Sequence, residues 1–197
     1  MENKIHKNLK FAGLIAKKSE EIRPVVEQIC EILKAQGIEL LLEEDGAEFF
    51  GLKPHTLAEI LKKTNFLISL GGDGTLIGLA RLLSDKNAFI LGINAGTLGF
   101  LTDVQPSEFA KFLKEFLRGE YEIERPFLLE VILENGSGKI VRKAAFNDVV
   151  ITRSHISSMA KIDAFLNRKY FNTYYGDGVI VSSAVGSTAY NMSANGS

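Results

Sequence analysis

The first half of the chain alternates short apolar runs with segments in which apolar residues recur at helical spacing. The apolar runs occupy residues 11–16, 38–42, 66–70 and 88–93. Runs that lack polar alternation are typical of strands buried on both faces of a parallel sheet. An amphipathic helix between the first two runs is predicted from Ile22, Val25, Val26, Ile29 and Leu33. This succession predicts a doubly wound α/β domain over residues 1–120.

Local signals predict where several helices begin and end. Thr56, with Glu59 three residues later, predicts a capping box at the start of a short helix. Another helix is predicted over residues 75–83. Ser107 is predicted to cap the last helix of this half, and Gly119 to end it.

The second half has the pattern of a β-domain. Short β-type runs occupy residues 127–133, 140–145, 149–152, 160–166, 170–173 and 179–182. Residues 135–138, with the sequence NGSG, predict a turn, and Asn167 with Arg168 predicts a tight hairpin. We therefore predict an all-β domain over residues 121–197. Because a new helix begins at about residue 189 and the strands would keep unpaired edges, we expect that a C-terminal part is missing.

Composition narrows the functional class. The chain has 197 residues, 46% of them hydrophobic, and 23 basic against 24 acidic residues give a net charge of −1. This nearly neutral balance lacks the excess of positive charge that nucleic-acid-binding proteins use to bind phosphates. No apolar run predicts a membrane span or a signal peptide, so we predict a cytoplasmic protein. A single cysteine and the lack of a His/Cys cluster predict no protein-bound zinc, and the acidic run Glu43, Glu44 and Asp45 is predicted to be a solvated loop.

The strongest chemical signal is the sequence GGDGT at residues 71–75, between a buried strand and a helix. Glycines bring backbone N–H groups close to a ligand, and a helix N-terminus favours phosphate. A carboxylate at Asp73 would repel phosphates unless a divalent cation intervenes or a substrate hydroxyl bonds to it. Both arrangements suit phosphoryl transfer. The alternative interpretation is that Asp73 caps the helix.

A second glycine-rich loop, residues 92–103, follows the next strand. Because ligands bind at the carboxyl ends of strands in open α/β sheets, both loops are expected at the same edge. The alternative is an ordinary connection between a strand and a helix, although three glycines in eight positions exceed what one turn requires.

Side chains suited to a ribose or a base occur in the second half. Asn147 and Asp148 place an amide beside a carboxylate, which can hold a ribose diol or an adenine amino group. Asp177 precedes a strand that leads to hydroxyl residues around Gly186, and Tyr190 can stack on a base. The alternative for each segment is structural: a turn before a strand, or a capped helix.

Four sequence blocks occur together in the order found in NAD kinases: GGDGT at 71, GINAGTLGFLTD at 92, FNDVVI at 146 and DGVIVSSAVGSTAY at 177. Through these blocks the chain resembles the NAD kinase family over about residues 10–197. The first block is shared with lipid kinases and phosphofructokinases, whereas the second and fourth together are specific. The resemblance implies a Rossmann-like α/β domain followed by a β-sandwich, with the active site between them.

The family resemblance also implies an activity and its partners. Members transfer the γ-phosphate of ATP, with a divalent cation such as Mg²⁺, to the adenosine 2′-hydroxyl of NAD and so form NADP. The implied partners are NAD and ATP, without nucleic acid or membrane. A homo-oligomer, a tetramer, is implied because similar enzymes complete the binding site with a neighbouring subunit.

The matched positions imply roles for individual residues. Asp73 is the expected proton acceptor, and Gly74 is expected beside the dinucleotide. Asn147 and Asp148 are expected to hold its sugar and base. The expected lining of the adenosine pocket is Asp177, Thr188, Ala189, Tyr190, Asn191, Met192 and Ser193. Ser158 and Tyr175 are added as weaker substrate-binding candidates, and no residue is assigned as a metal ligand.

Several positions depart from the family pattern. Asp148 stands where Glu is frequent, which shortens the side chain by one methylene and keeps the charge. Residues 183–185, Ser-Ala-Val, replace the usual Thr-Pro-Thr, which predicts a less rigid loop. Residues 195–197, Asn-Gly-Ser, stand where Gly-Gly-Pro is usual. Ser158 and Tyr175 stand at positions that often bear larger or basic ligand contacts.

Two other functions compete with NAD kinase. A lipid kinase would share the glycine-rich turn around Asp73, but the blocks at 92 and 177 argue against it. A non-enzymatic NAD(P)-binding regulator would keep the pocket without needing Asp73.

Overall fold

The apolar runs of the first half form one parallel sheet. The computed structural model describes residues 5–96, 99–102, 104–155 and 157–196. It divides into two compact units, Met1–Glu124 and Arg125–Ser197. The domain boundary expected after residue 120 stays a prediction.

The sheet of the first unit has five strands. They are β1 (Phe11–Ala16), β2 (Glu39–Glu43), β3 (Pro54–His55), β4 (Phe66–Gly71) and β5 (Phe89–Asn94). All pairs are parallel, and the order is β3-β2-β1-β4-β5. Strands β2 and β3 therefore extend the sheet on one side of β1, and β4 and β5 extend it on the other side. In such sheets ligands bind where the order reverses, at the carboxyl ends of the strands.

Five helices of the first unit connect the strands or follow the last one. They are α1 (Arg23–Ala35), α2 (Glu44–Phe50), α3 (Leu57–Lys63), α4 (Asp73–Leu82) and α5 (Phe109–Arg118). In the capping box of α3, the Glu59 N–H donates to Thr56 Oγ1 at 3.1 Å and the Thr56 N–H donates to Glu59 Oε2 at 2.9 Å. This prediction is confirmed.

The sheet carries an apolar cluster on each face. Ile68 and Leu70 of β4 belong to the larger cluster, which includes buried residues of α1 and α5. Leu67 belongs to the second cluster, with Ile60 of α3 and Leu79 of α4. Every residue of β4 is buried, as expected for a strand between two helical layers. The α/β prediction is confirmed.

Two local predictions in this unit are wrong. The acidic run begins a helix instead of a loop: Glu44 and Asp45 lie in the first turn of α2, where carboxylates interact favourably with the helix dipole. Ser107 does not cap α5, whose N-cap is Glu108, because it lies inside a short 3-10 helix, Pro106–Glu108. The N-cap of that 3-10 helix is Gln105, whose N–H donates to Glu108 Oε2 at 3.1 Å. The predicted end of α5 is confirmed, because Gly119 has a φ of +85°.

The second unit consists mainly of antiparallel strand pairs. Its strands are β6 (Leu129–Glu134), β7 (Ile140–Ala145), β8 (Asp148–Thr152), β9 (Ala160–Leu166), β10 (Lys169–Gly176) and β11 (Gly178–Ser182). They pair as β6 with β7, β8 with β11, and β9 with β10. The prediction of a β-domain in the second half is confirmed. The hairpin prediction is also confirmed, since Asn167 and Arg168 have φ angles of 52° and 65°, as a tight turn requires.

A short helix α6 (Tyr190–Ser193) follows β11 after a 3-10 turn, Val185–Thr188. Within the described residues, no helix combines the length and apolar character needed to cross a bilayer.

Candidate functional site

The turn between β4 and α4 brings Asp73 to the carboxyl edge of the sheet. Gly72 is the N-cap of α4, and Asp73 is the first helical residue. A Cβ on Gly71 would overlap the Thr75 hydroxyl, whereas Gly72 and Gly74 have no neighbouring atom within 4 Å of that position. Gly71 is therefore required by packing inside the protein. The space beside Gly72 and Gly74 is open to a ligand.

The Asp73 carboxylate accepts hydrogen bonds from the second glycine-rich loop. The Phe100 N–H donates to Oδ2 at 2.9 Å, and the Leu101 N–H donates to Oδ1 at 3.1 Å. The Thr102 hydroxyl adds a longer contact to Oδ1 at 3.5 Å. The structure does not support the alternative in which Asp73 caps α4, because no side-chain cap bond is present at this helix.

The second glycine-rich loop folds back against the first, as expected from its place after β5. The Ala95 N–H donates to the Gly71 carbonyl at 3.0 Å, and the Gly96 N–H donates to Asn94 Oδ1 at 2.9 Å. The returning chain is joined to β5, where the Asn94 N–H donates to the Val104 carbonyl at 2.9 Å. Thr97, Leu98 and Asp103 of this loop lie outside the described residues.

In the second unit, Asn147 and Asp148 lie at the start of β8, against the end of β11. Asp148 pairs with Ser182, and the Ser183 N–H donates to the Asn147 carbonyl at 2.8 Å. Asn147 Oδ1 is buried and has no hydrogen-bond partner among the described residues. Since a buried acceptor without a donor is costly, this oxygen is suited to receive an N–H or O–H of a ligand.

Ser183 ties the segment after β11 to Asn147, and sequence reasoning did not identify this function. Its hydroxyl donates to the Phe146 carbonyl at 2.6 Å and accepts from the Gly186 N–H at 3.1 Å. A Cβ on Gly186 would overlap the Asn147 carbonyl oxygen. The sequence did contain a clue to this contact: Ser183 keeps a hydroxyl group where the family usually has threonine.

The remaining candidate residues of the second unit are mostly exposed. Asp177 lies between β10 and β11, and its Oδ1 is 3.1 Å from Nη1 of Arg153. Thr188 ends the 3-10 turn, Ala189 precedes α6, and Tyr190, Asn191, Met192 and Ser193 form α6. Ser158 and Tyr175 are exposed. Asp73 and Gly74 belong to the first unit, so the grouping of all these residues into one pocket stays a prediction.

Comparison with known proteins matches both parts of the chain to one family. The ATP-NAD kinase N-terminal domain matches residues 12–121, and the ATP-NAD kinase C-terminal domain matches residues 146–197. The chain belongs to the ATP-NAD kinase family. Since this is a family of phosphotransferases, the predictions of the family and of an enzyme are confirmed.

Curated NAD kinases share much of the sequence. The NAD kinase of Campylobacter jejuni subsp. jejuni serotype O:23/36 (strain 81-176) is 46% identical over 197 residues, which are 100% of this chain and 69% of that protein. The NAD kinase of Sulfurimonas denitrificans is 40% identical over 196 residues, covering 100% of this chain and 68% of that protein. The chain thus spans about two thirds of the length of these NAD kinases.

Two solved structures of the family have a similar fold. Yeast NADH kinase complexed with NADH superimposes with a TM-score of 0.85 at 24% identity, covering 96% of this chain and 62% of that one. At this identity the likeness shows the fold alone. An NAD kinase from Archaeoglobus fulgidus in complex with ATP gives a TM-score of 0.72 at 26% identity, covering 95% and 66%.

Proposed function

We propose that this protein is an ATP-dependent NAD kinase in which Asp73 accepts the proton of the substrate hydroxyl. The observation that carries the proposal is the place of Asp73, in the first turn of α4 and beside open space at Gly72 and Gly74. The name NAD kinase, shared by relatives at 40–46% identity, supports this function over a lipid kinase or a non-enzymatic regulator.

The proposed reaction is an in-line phosphoryl transfer. The adenosine 2′-hydroxyl oxygen of NAD bonds to the γ-phosphorus of ATP, and the bond between that phosphorus and the ADP oxygen breaks. The hydroxyl proton passes to the Asp73 carboxylate, so that ATP and NAD give ADP, NADP and one proton. The N-terminus of α4 and the N–H groups of its glycine turn favour the phosphates.

The proposed divalent cation enters with ATP. The described residues contain no group of three or more His, Cys, Asp or Glu side chains that could hold a metal ion. Mg²⁺ is commonly bound through substrate phosphates and one or two carboxylates, so a protein cage is not required. We therefore treat Mg²⁺ as part of the ATP substrate and assign it no ligand in this chain.

In the second unit, Asn147 is proposed to receive a ligand donor at its buried Oδ1, with Asp148 on the sugar. The adenosine pocket is proposed to include Asp177 and residues 188–193, with Ser158 and Tyr175 as further contacts.

A tetramer and a cytoplasmic location are also proposed. Sedimentation equilibrium of the purified protein tests the first, and cell fractionation tests the second.

The decisive experiment measures NADP formation from NAD, ATP and Mg²⁺ by the full-length protein and by Asp73→Asn. A positioned base contributes about 10²- to 10⁴-fold in rate, so the variant should lose activity within this range. Asp85→Asn is the matched control, because Asp85 is an exposed aspartate that pairs with Lys86. An unchanged rate in Asp73→Asn would remove Asp73 from its proposed role.

A second experiment tests the specificity of the pocket. Because the reaction takes place on the adenosine ribose, adenosine derivatives should displace NAD in a competition binding assay. Displacement by nicotinamide mononucleotide and not by adenosine derivatives would contradict the proposed pocket. Phosphorylation of a diacylglycerol or sphingoid base without phosphorylation of NAD would favour the lipid kinase, and NAD binding without turnover would favour the regulator.

A further inference from the structure

The contacts of Asp73 leave its two oxygens unequal. Oδ1 accepts from the Leu101 N–H at 3.1 Å and from the Thr102 hydroxyl at 3.5 Å, whereas Oδ2 accepts from the Phe100 N–H at 2.9 Å. Each carboxylate oxygen has two lone pairs. The described contacts therefore place one N–H donor on each oxygen and a second, weaker donor on Oδ1, so that Oδ2 keeps an acceptor position.

The absence of a side chain at Gly99 permits this close approach. A Cβ at that position would lie 2.7 Å from Cγ of Asp73 and 2.9 Å from its Oδ2. Real Cβ atoms do not approach other heavy atoms this closely, so a side chain at Gly99 would displace the carboxylate.

The hydroxyl end of the contact is held by packing. Thr102 is buried at 1% exposure. Protein atoms therefore enclose this side chain, and its Oγ1 lies 3.5 Å from Oδ1 of Asp73.

We propose that residues 99–102 form a positioning segment for Asp73, which leaves the second acceptor position of Oδ2 as the point that receives the substrate hydroxyl. This inference rests on the proposed kinase function. In the transfer step the O–H bond of the substrate breaks and an Oδ2–H bond forms, while the hydroxyl oxygen bonds to the γ-phosphorus. Through their contacts to Asp73, Phe100, Leu101 and Thr102 are positioning residues.

The first test does not depend on activity. Amide hydrogen exchange is compared between the full-length protein and Asp73→Ala. The amides of Phe100 and Leu101 should be protected in the parent and should exchange at least tenfold faster in the variant, because they lose their acceptor. The Ala95 amide, which donates to the Gly71 carbonyl, is the internal reference. Equal exchange of the Phe100 and Leu101 amides in both proteins would overturn the proposal.

The second test measures kcat and KM of Gly99→Ala. A displacement of about 1 Å at a reacting group can cost about 10²-fold, so kcat should fall by this order while KM for NAD and ATP changes little. Gly78→Ala in α4 is the matched control and should keep its kcat, because no atom lies within 4 Å of its Cβ position. An undiminished kcat in Gly99→Ala would contradict the positioning function.

A double-substitution cycle separates the Asp73 contact from general strain at Gly99. If Gly99 makes room for the carboxylate, Gly99→Ala should destabilise the parent more than it destabilises Asp73→Ala. Equal destabilisation in both backgrounds would show that Gly99 acts without Asp73, against the proposal. Absence of NADP formation in the parent would reject the proposed kinase function, while amide exchange and the cycle would still decide whether the segment holds Asp73.

Discussion

The two units of this chain bury their apolar residues to very different degrees. In the first unit, Leu14, Leu41 and Leu67 are completely buried, and helices cover both faces of the sheet. In the second unit, Leu133 and Phe165 are more than half exposed, and Phe146 is buried near the ends of strands. A parallel sheet is covered on both faces, whereas an antiparallel sheet can leave one face open to water.

This difference in burial indicates which interactions stabilise each unit. The first unit depends on side-chain packing, so its stability should respond to changes in volume. The second unit depends on backbone pairing and on a few buried polar contacts around Ser183. Its stability should respond more to the loss of a hydrogen bond than to the loss of an exposed apolar side chain.

The largest expected effect comes from removing the same side chain in both units. Leu67→Ala in β4 should lower the free energy of unfolding by about 2–5 kcal/mol, because it leaves a cavity in a buried cluster. Leu133→Ala in β6, where the side chain is 55% exposed, should change it by about 0.5 kcal/mol or less. Urea unfolding followed by circular dichroism measures both. Equal losses would show that the faces of the second unit are covered in solution.

Overpacking is expected to be the next largest effect. A Cβ at Gly13 of β1 would lie 2.5 Å from Leu67 Cδ2 and 2.6 Å from Ile60 Cγ2. Gly13→Ala should therefore destabilise the first unit by about 1–3 kcal/mol in the same urea experiment. Gly78→Ala in α4 serves as control and should stabilise by up to about 1 kcal/mol, through the helix propensity of alanine. A stable Gly13→Ala protein would mean that this side of the sheet is loosely packed.

The Ser183→Ala variant tests how much the buried hydrogen bonds of Ser183 stabilise the second unit. The variant loses one bond to the Phe146 carbonyl and one from the Gly186 N–H, which should cost about 1 kcal/mol per bond. Faster amide exchange at Gly186 measures the local loss. Ser137→Ala, in the exposed turn between β6 and β7, provides the control because its hydroxyl partner Asn135 is also exposed. An unchanged exchange rate of the Gly186 amide in Ser183→Ala would show that the Ser183 hydroxyl does not hold this segment in place.

The smallest expected effect is the pH dependence of the capping box of α3. Hydrogen bonds from the backbone and side chain of Thr56 lower the pKa of Glu59 from its ordinary value of 4.5. A lowered pKa contributes stability at higher pH, and this contribution is lost as the pH falls below 4.5 through the folded-state pKa. Thermal midpoints from pH 7 to pH 3 should fall slightly more in the parent than in Glu59→Gln.

The control for this last effect is Glu31→Gln, which removes an exposed charge from α1 without touching the capping box. It should keep the pH dependence of the parent. If Glu59→Gln and the parent show the same dependence, the carboxylate of Glu59 does not stabilise α3.

Sequence patterns predicted the regular parts of the fold because burial determines them. The apolar run at residues 66–70 was found as β4, Phe66–Gly71, since a strand covered on both faces leaves a continuous apolar signature. The helix α2 was missed because its first turn, Glu44 and Asp45, is acidic and Gly46 follows directly. Those acidic residues favour a helix N-terminus, but only the fold shows that a helix begins there.

The site was predictable in its residue types and not in its contacts. The place of Asp73 after a buried strand followed from the GGDGT pattern. Its bonds to Phe100 and Leu101 are donated by main-chain N–H groups distant in sequence, which leave no side-chain pattern to read. The sequence also does not show why residue 99 is glycine, because the reason is that a side chain there would overlap the Asp73 carboxylate.

The pairing of β8 with β11 encloses the hairpin of β9 and β10, and this nesting has a consequence for the order of folding. Hairpins with tight turns form in about 1–10 μs, so the β9–β10 pair can form before its neighbours meet. Once formed, it shortens the effective loop between Thr152 and Gly178, which pair in the final structure, and so reduces the entropy lost on closure. The β8–β11 pair can then close from Thr152 and Gly178 towards Asp148 and Ser182, which brings Asn147 and Ser183 together last.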